Sequence, residues 1–278
     1  MQTNSPYSQQ NRGISGKELD LAPDKGIGAI TRRDFLRLSG AGLTGAVLLG
    51  VAGCGGEQVG GGQGGSGGGG GGGSVFTYGR GADSVSLDPI NATDGESFVV
   101  TRQVMDTVLS FEPGTTDPIP SLATEIPEPE DGGKVYTFKL REGVKFHDGE
   151  PFNAEAVKFN FDRWRLTDNE YHKGGGNQAS GFAYYSVMFG GFDDDSFIEN
   201  VEAVDDMTVR FTLREPLAPF LRNVAMSAFA IASPKAIKDD VEGFWEKPVG
   251  TGPFKFDSWK RGSEVRLSAN KDFWGKDL

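Results

Sequence analysis

"YTFKLREGVKFHDGEPFNAEAVKFNFDR", Tyr136–Arg163, changes its hydrophobic period halfway along. In Val135–Leu140 the apolar side chains alternate, with Tyr136, Phe138 and Leu140 pointing one way, which predicts a half-buried strand. "HDGEPFN" is turn chemistry. Asn153 stands where its side chain can accept from the free amides of a first helical turn. Behind it Val157, Phe161 and Trp164 fall at i, i+4 and i+7, one face of a helix.

The same reading extends outward in both directions. "VEAVDDMTVRFTL", Val201–Leu213, reads as a hairpin with Asp205-Asp206 at its turn and Val209, Phe211 and Leu213 toward a core. Ser233-Pro234 is an N-cap followed by proline at the first helical position. "GPFKFDSW" and "SEVRLSAN" form two strands around Lys260-Arg261-Gly262. Upstream, "EIPEPEDGG" is a linker and "DSVSLDPINATD", Asp83–Asp94, a polar loop. Ser97–Leu109 predicts a helix carrying Phe98, Met105, Val108 and Leu109, and Val75–Tyr78 a short strand. Alternating strands and helices give an α/β chain.

Tyr136–Arg163 resembles the signature of the extracellular solute-binding protein family 5, the peptide, nickel and related receptors of ABC importers. "PVGTGPFKFDSWKRGSEVRLSANKDFW", Pro248–Trp274, is similar to a second block of that family, and "SLDP", Ser86–Pro89, with "TRQVMDTVLSF" fits its opening strand, loop and helix. The resemblance implies a periplasmic-binding-protein-like fold of type II, the large peptide-binding subtype, with two lobes around a cleft. Family members run to about twice the folded length found here. On that template 74–118 and 235–278 form an incomplete N-terminal lobe, 119–234 an extra α/β domain inserted in it, and the C-terminal lobe is missing. A truncated gene, a fragment, or a second lobe encoded elsewhere would each account for this. The resemblance further implies a binding module without catalysis, a monomer capturing short peptides or another small solute for ABC permease subunits. Its available wall is the loop 83–94 and the helix start, with Ser84, Thr93 and Asp94 as the ligand-facing candidates.

The N-terminal quarter has a different composition. In "ITRRDFLRLSGAGLTGAVLLGVAGCGG", Ile30–Gly56, Arg32, Arg33 and Arg37 precede an uncharged run from Leu38 to Gly53. That run is shorter and richer in glycine than a membrane span of about 20 apolar residues. Thr31–Arg37 resembles a twin-arginine export signal, and Val51–Cys54 a bacterial lipobox whose thiol carries diacylglycerol. Residues 1–54 thus read as a twin-arginine lipoprotein signal with a polar leader. The glycine-rich 55–73 reads as a disordered tether, about 25 Å long as a flexible coil. The expectation is a lipid-anchored extracytoplasmic protein, attached to the membrane through Cys54. The competing reading is a short buried helix with a structural cysteine.

Cys54 is the only cysteine, so no intrachain disulfide can form. A formal net charge of −11 without a basic cluster sets nucleic-acid binding aside. No catalytic, metal or cofactor site is expected. His147-Asp148-Gly149 reads as a polar turn, Asp193–Asp195 as a solvated acidic loop whose spacing fails a calcium loop, and Gly250-Thr251-Gly252 as a tight crossing between lobes or into a strand. Phe182, Tyr184 and Tyr185 read as core rather than ligand platform. Two other function classes stay open: a non-transporting surface sensor or adhesin on the same fold, and a surface hydrolase built on paired carboxylates, which would need two of them about 5–10 Å apart in one pocket.

Overall fold

The strand, turn and helix of Tyr136–Arg163 form as the periods dictate. The computed structural model describes residues 75–172 and 181–276. Arg32, Arg33, Cys54, the signal-like 1–54 and the glycine-rich 55–73 lie outside them.

The described residues contain α1 Gly95–Val104, β1 Leu109–Phe111, β2 Pro118–Pro120, β3 Val135–Lys139, α2 Ala154–Arg165, α3 Ala183–Phe189, β4 Ile198–Asp205, β5 Thr208–Leu213, α4 Phe220–Val224, α5 Pro234–Asp239, β6 Phe254–Lys260 and β7 Glu264–Ala269. A three-stranded antiparallel sheet in the order β3-β5-β4 lies at the centre, with Tyr136 opposite Phe211 and Phe138 opposite Val209. The hairpin turns where the Asp205 carboxylate accepts from the Met207 amide at 2.9 Å. β1–β2 and β6–β7 are separate two-stranded pairs.

α2 starts where Asn153 accepts from the Ala156 amide at 3.0 Å, satisfying one of the free donors of the first turn. Glu155 in the first turn and Arg163 and Arg165 in the last complement the helix dipole. Val157, Phe161 and Trp164 are buried against the sheet. Phe161 meets Phe211 edge to face at 4.8 Å, and Tyr185, Phe189, Phe220 and Phe229 complete an aromatic core. Ile90, Val108 and Leu109 belong to the same core, whereas Val104, Met105, Ala230, Ala232, Ile237 and Phe244 form a smaller cluster beside it. Ser233 caps α5 by accepting from the Ala236 amide, as its sequence predicts.

Two expectations need correction. Val75–Tyr78 is not a strand: no described residue pairs with it, and Val75, Phe76 and Tyr78 are 91 %, 88 % and 63 % exposed. Strand propensity cannot supply the neighbour that a ladder requires. The helix expected over Ser97–Leu109 is α1, which begins at Gly95 and ends at Val104; Met105 is extended and the chain continues into β1. The Val104 carbonyl, which would otherwise have bonded onward in the helix, accepts from the Gly252 amide at 2.9 Å. A Cβ on Gly252 would stand 2.6 Å from the Val104 carbonyl carbon, and one on Gly250 would stand 2.3 Å from Met105 Cγ. The Gly250–Gly252 crossing therefore needs glycine at both ends.

Candidate functional site

The loop before α1 is held by side chains rather than by a ladder. Asp83 accepts from the Trp259 indole at 2.9 Å, the Gly262 amide at 2.7 Å and the Ser84 amide at 3.0 Å. Burial pushes its carboxyl up, but these donors and the Arg80 charge outweigh that and hold it below the usual range. Arg261 stacks between Trp245 and Trp259 at 4.4 and 3.8 Å, a pair of cation–π contacts that fixes the β6–β7 turn over the loop. Further along, Asp88 is buried and forms an ion pair with Arg163 of α2, whose Nε donates to the Tyr171 carbonyl at 2.9 Å. A charged group this deep persists only with its countercharge and hydrogen bonds.

Ser97 links the loop to the helix. Its hydroxyl donates to Asp94 Oδ2 at 2.7 Å and accepts from the Val85 amide at 2.9 Å. Asp94 Oδ1 in turn accepts from the Ser97 amide at 2.8 Å, making Asp94 the N-cap of α1.

The three ligand-facing candidates therefore differ. Ser84 is buried, with its hydroxyl accepting from Arg80 Nη1 at 2.8 Å. Asp94 uses both carboxylate oxygens on Ser97. Thr93 is exposed, one residue before the cap, and Gly95 behind it is exposed as well. One turn into α1, Phe98 meets Tyr184 edge to face at 5.8 Å, and both rings are half-buried. The sequence reading grouped Tyr184 with the core. The helical period of α3 sends Tyr185 and Phe189 inward at i and i+4, and the half-buried Tyr184 packs against the edge of that core while also meeting Phe98. Phe182 is buried as expected.

The other polar motifs make hydrogen bonds within the fold. The His147 amide donates to the Gly250 carbonyl at 2.8 Å, and His147 Nε2 donates to the Gly252 carbonyl at 2.9 Å. Asp148 accepts from the Ser233 hydroxyl, and Asp193 accepts from Thr167 through both its amide and its hydroxyl. Among the described residues no three His, Cys, Asp or Glu side chains gather as metal ligands, and no helix is long and apolar enough to cross a membrane.

The family model for bacterial extracellular solute-binding proteins, family 5 Middle, matches residues 117–278. The chain is 41 % identical over 180 residues to the dipeptide-binding protein of Escherichia coli K12, covering 60 % of this chain and 32 % of that protein. It is 35 % identical over 202 residues to di/tripeptide-binding protein 1 of Pseudomonas aeruginosa UCBPP-PA14, covering 68 % of this chain and 36 % of that one. Among solved structures it is similar to the ABC transporter-associated periplasmic binding protein DppA of Helicobacter pylori, in complex with the peptide STSA. That match has a TM-score of 0.63 at 39 % identity and covers 70 % of this chain and 39 % of the other. The chain thus spans about a third of the length of the curated relatives it matches.

Proposed function

The chain belongs to the bacterial extracellular solute-binding proteins, family 5, and from that membership we propose that it contributes to capturing short peptides for an ABC importer. Solute-binding relatives named for dipeptides and tripeptides support the ligand class. The observation that carries the placement of the site is the exposed turn at Thr93–Gly95. The Asp94 cap fixes it directly, and the Asp83 hydrogen bonds and the Asp88–Arg163 ion pair fix the loop that leads into it. A braced turn keeps its conformation when a peptide docks, so less ordering entropy opposes binding.

In this reading 74–118 and 235–278 belong to the N-terminal lobe and 119–234 to the inserted domain. Thr93 and the backbone beside it contact the peptide, with Phe98 and Tyr184 as an apolar edge. Ser84 and Asp94 hold that surface from behind. Ligand contacts with a second lobe, of the kind solute-binding proteins close on their cargo, would populate the closed state. The work is binding, without a chemical step. The twin-arginine-like Arg32-Arg33 directs export, and lipid on Cys54 keeps the protein at the outer face of the membrane.

Uptake of a labelled, hydrolysis-resistant dipeptide by cells with and without the gene tests the function. Uptake should fall on deletion and return with the intact gene; equal uptake in both strains overturns the assignment. Cys54→Ser should release the protein to the soluble fraction, and Arg32→Lys with Arg33→Lys should block export. A serine variant that still pellets with membranes and labels with fatty acid removes the anchor from the proposal.

A further inference from the structure

A cavity of about 430 Å³ opens at the other end of α1, beyond the Val104 carbonyl and beside the β1–β2 turn. Met105, Phe111 and Ala230 supply apolar lining, and Ser110, Ser121, Asp106 and Glu112 supply polar lining. Asp106 sets its chemistry. Its Oδ2 accepts from the Thr251 hydroxyl and from the Trp274 indole, both at 2.8 Å. Its Oδ1 accepts no hydrogen bond from the described residues. The carboxylate is thus fixed in place through one oxygen and keeps acceptor capacity on the other. Burial raises the Asp106 pKa, and the Trp274 and Thr251 hydrogen bonds only partly offset it, so the charge there lacks full solvation. Two further features favour a positive guest: the carbonyl end of a ten-residue helix and the exposed Glu112. Among the described residues Arg102 is the one basic residue of the lining, and its Nε donates back to the Phe98 carbonyl of its own helix at 3.1 Å.

We propose that this cavity binds a primary ammonium group on a short aliphatic stem, with Asp106 Oδ1 accepting from the ammonium, Glu112 adding charge at the rim, and Met105 and Phe111 covering the stem. It is separate from the Thr93 surface, since the two lie at opposite ends of α1. The ammonium could come from a free aliphatic amine or from the amino end of a peptide, and the two sources differ in the groups attached beyond the first carbons.

The test uses the full chain labelled with 5-fluorotryptophan. Trp274 donates to Asp106, so its ¹⁹F resonance, assigned with Trp274→Phe, reports occupancy directly. Titration with n-butylammonium chloride should shift that resonance saturably, while pentanoate and 1-pentanol should not. Alanyl-alanine amide, with N-acetyl-alanyl-alanine amide as its blocked control, tells a peptide source from a free amine. Asp106→Asn should weaken butylammonium binding at least about tenfold. Because that variant disturbs a packed residue, two exposed variants keep the test decisive: Glu112→Gln should weaken binding about threefold and Arg102→Gln should tighten it by a similar factor. No saturable shift up to about 0.1 M, equal shifts with pentanoate or pentanol, or indifference to both exposed variants would overturn the proposal.

Discussion

The aromatic core around β3-β5-β4 and the flank formed by β6–β7 with the loop 80–88 are stabilised by different physics. In the first, Phe138, Phe161, Phe189, Phe211 and Phe220 are fully buried and meet ring to ring, so area removed from water dominates. In the second, both strands are exposed or half-buried along their length and Phe254 is 38 % exposed. An isolated two-stranded hairpin is marginal in water, and here it is tied down by Asp83, Trp245, Trp259 and Arg261. A region held by packing resists single deletions of polar contacts, whereas one held by a few directional contacts depends on each of them.

Truncating the two regions alike should expose that difference most visibly. Phe211→Ala is expected to cost about 3–5 kcal/mol by the usual cavity penalty, against about 1 kcal/mol or less for Phe254→Ala at a site partly in water. Urea denaturation of the two variants measures the difference; equal losses would mean that the flank is as tightly packed as the core.

The Asp88–Arg163 ion pair joins the two regions, so Arg163→Met should cost about 3–5 kcal/mol by stripping a buried carboxylate of its countercharge. Adding Asp88→Leu should recover much of that loss, which a double-mutant cycle reads directly. Without recovery, the damage comes from Arg163 packing rather than from the charge.

Hydrogen exchange sharpens the contrast along the backbone. Amides of β3, β5 and α2 should exchange at least about tenfold more slowly than those of β6 and β7. Uniform protection would make the described residues one cooperative unit. Smaller still is Trp259→Phe, expected to cost about 1 kcal/mol as one hydrogen bond to a 27 %-exposed carboxylate is lost, with faster exchange confined to the β6–β7 turn.

The smallest effect is a pH dependence. Burial holds His147 below its ordinary value despite the Gly252 hydrogen bond, and burial does the same to His172, which sits between Phe182 and Phe192. The unfolded chain, titrating near 6.5, therefore takes up protons first. The contribution of each histidine to stability is complete above about pH 6.5 and is lost as pH falls below it toward the lowered folded-state pKa. His147→Gln should flatten the fall of Tm between about pH 7 and 5; an unchanged slope assigns it to His172 or to carboxylates.

Local patterns settled most of the elements. Alternation in Val135–Leu140, the 3.6-residue period behind Asn153 and the Asp205-Asp206 turn each depend on residues within one or two turns of one another, and all three formed. So did the Ser233 cap and the β6–β7 pair. These features are legible because the groups that satisfy one another are neighbours in the chain. The candidate site was legible only in outline. The sequence pointed to the loop before α1, but it did not distinguish Thr93, which is exposed, from Ser84 and Asp94, whose oxygens are engaged by Arg80 and Ser97.

What the tertiary structure alone decided lies in contacts between distant residues. α1 stops at Val104 because Gly252 reaches it across the fold, and Val75–Tyr78 stays unpaired despite its strand-like composition. Tyr184 meets Phe98 at the edge of the core, and Asp106 becomes a fixed carboxylate only when Thr251 and Trp274 fold back onto it. By itself the sequence determined the α/β character, the family signature and the periods that build the central sheet and its helix. Which polar groups remain available to a ligand depended on long-range hydrogen bonds, because a side chain's free acceptor capacity is what remains after its spatial neighbours have been satisfied.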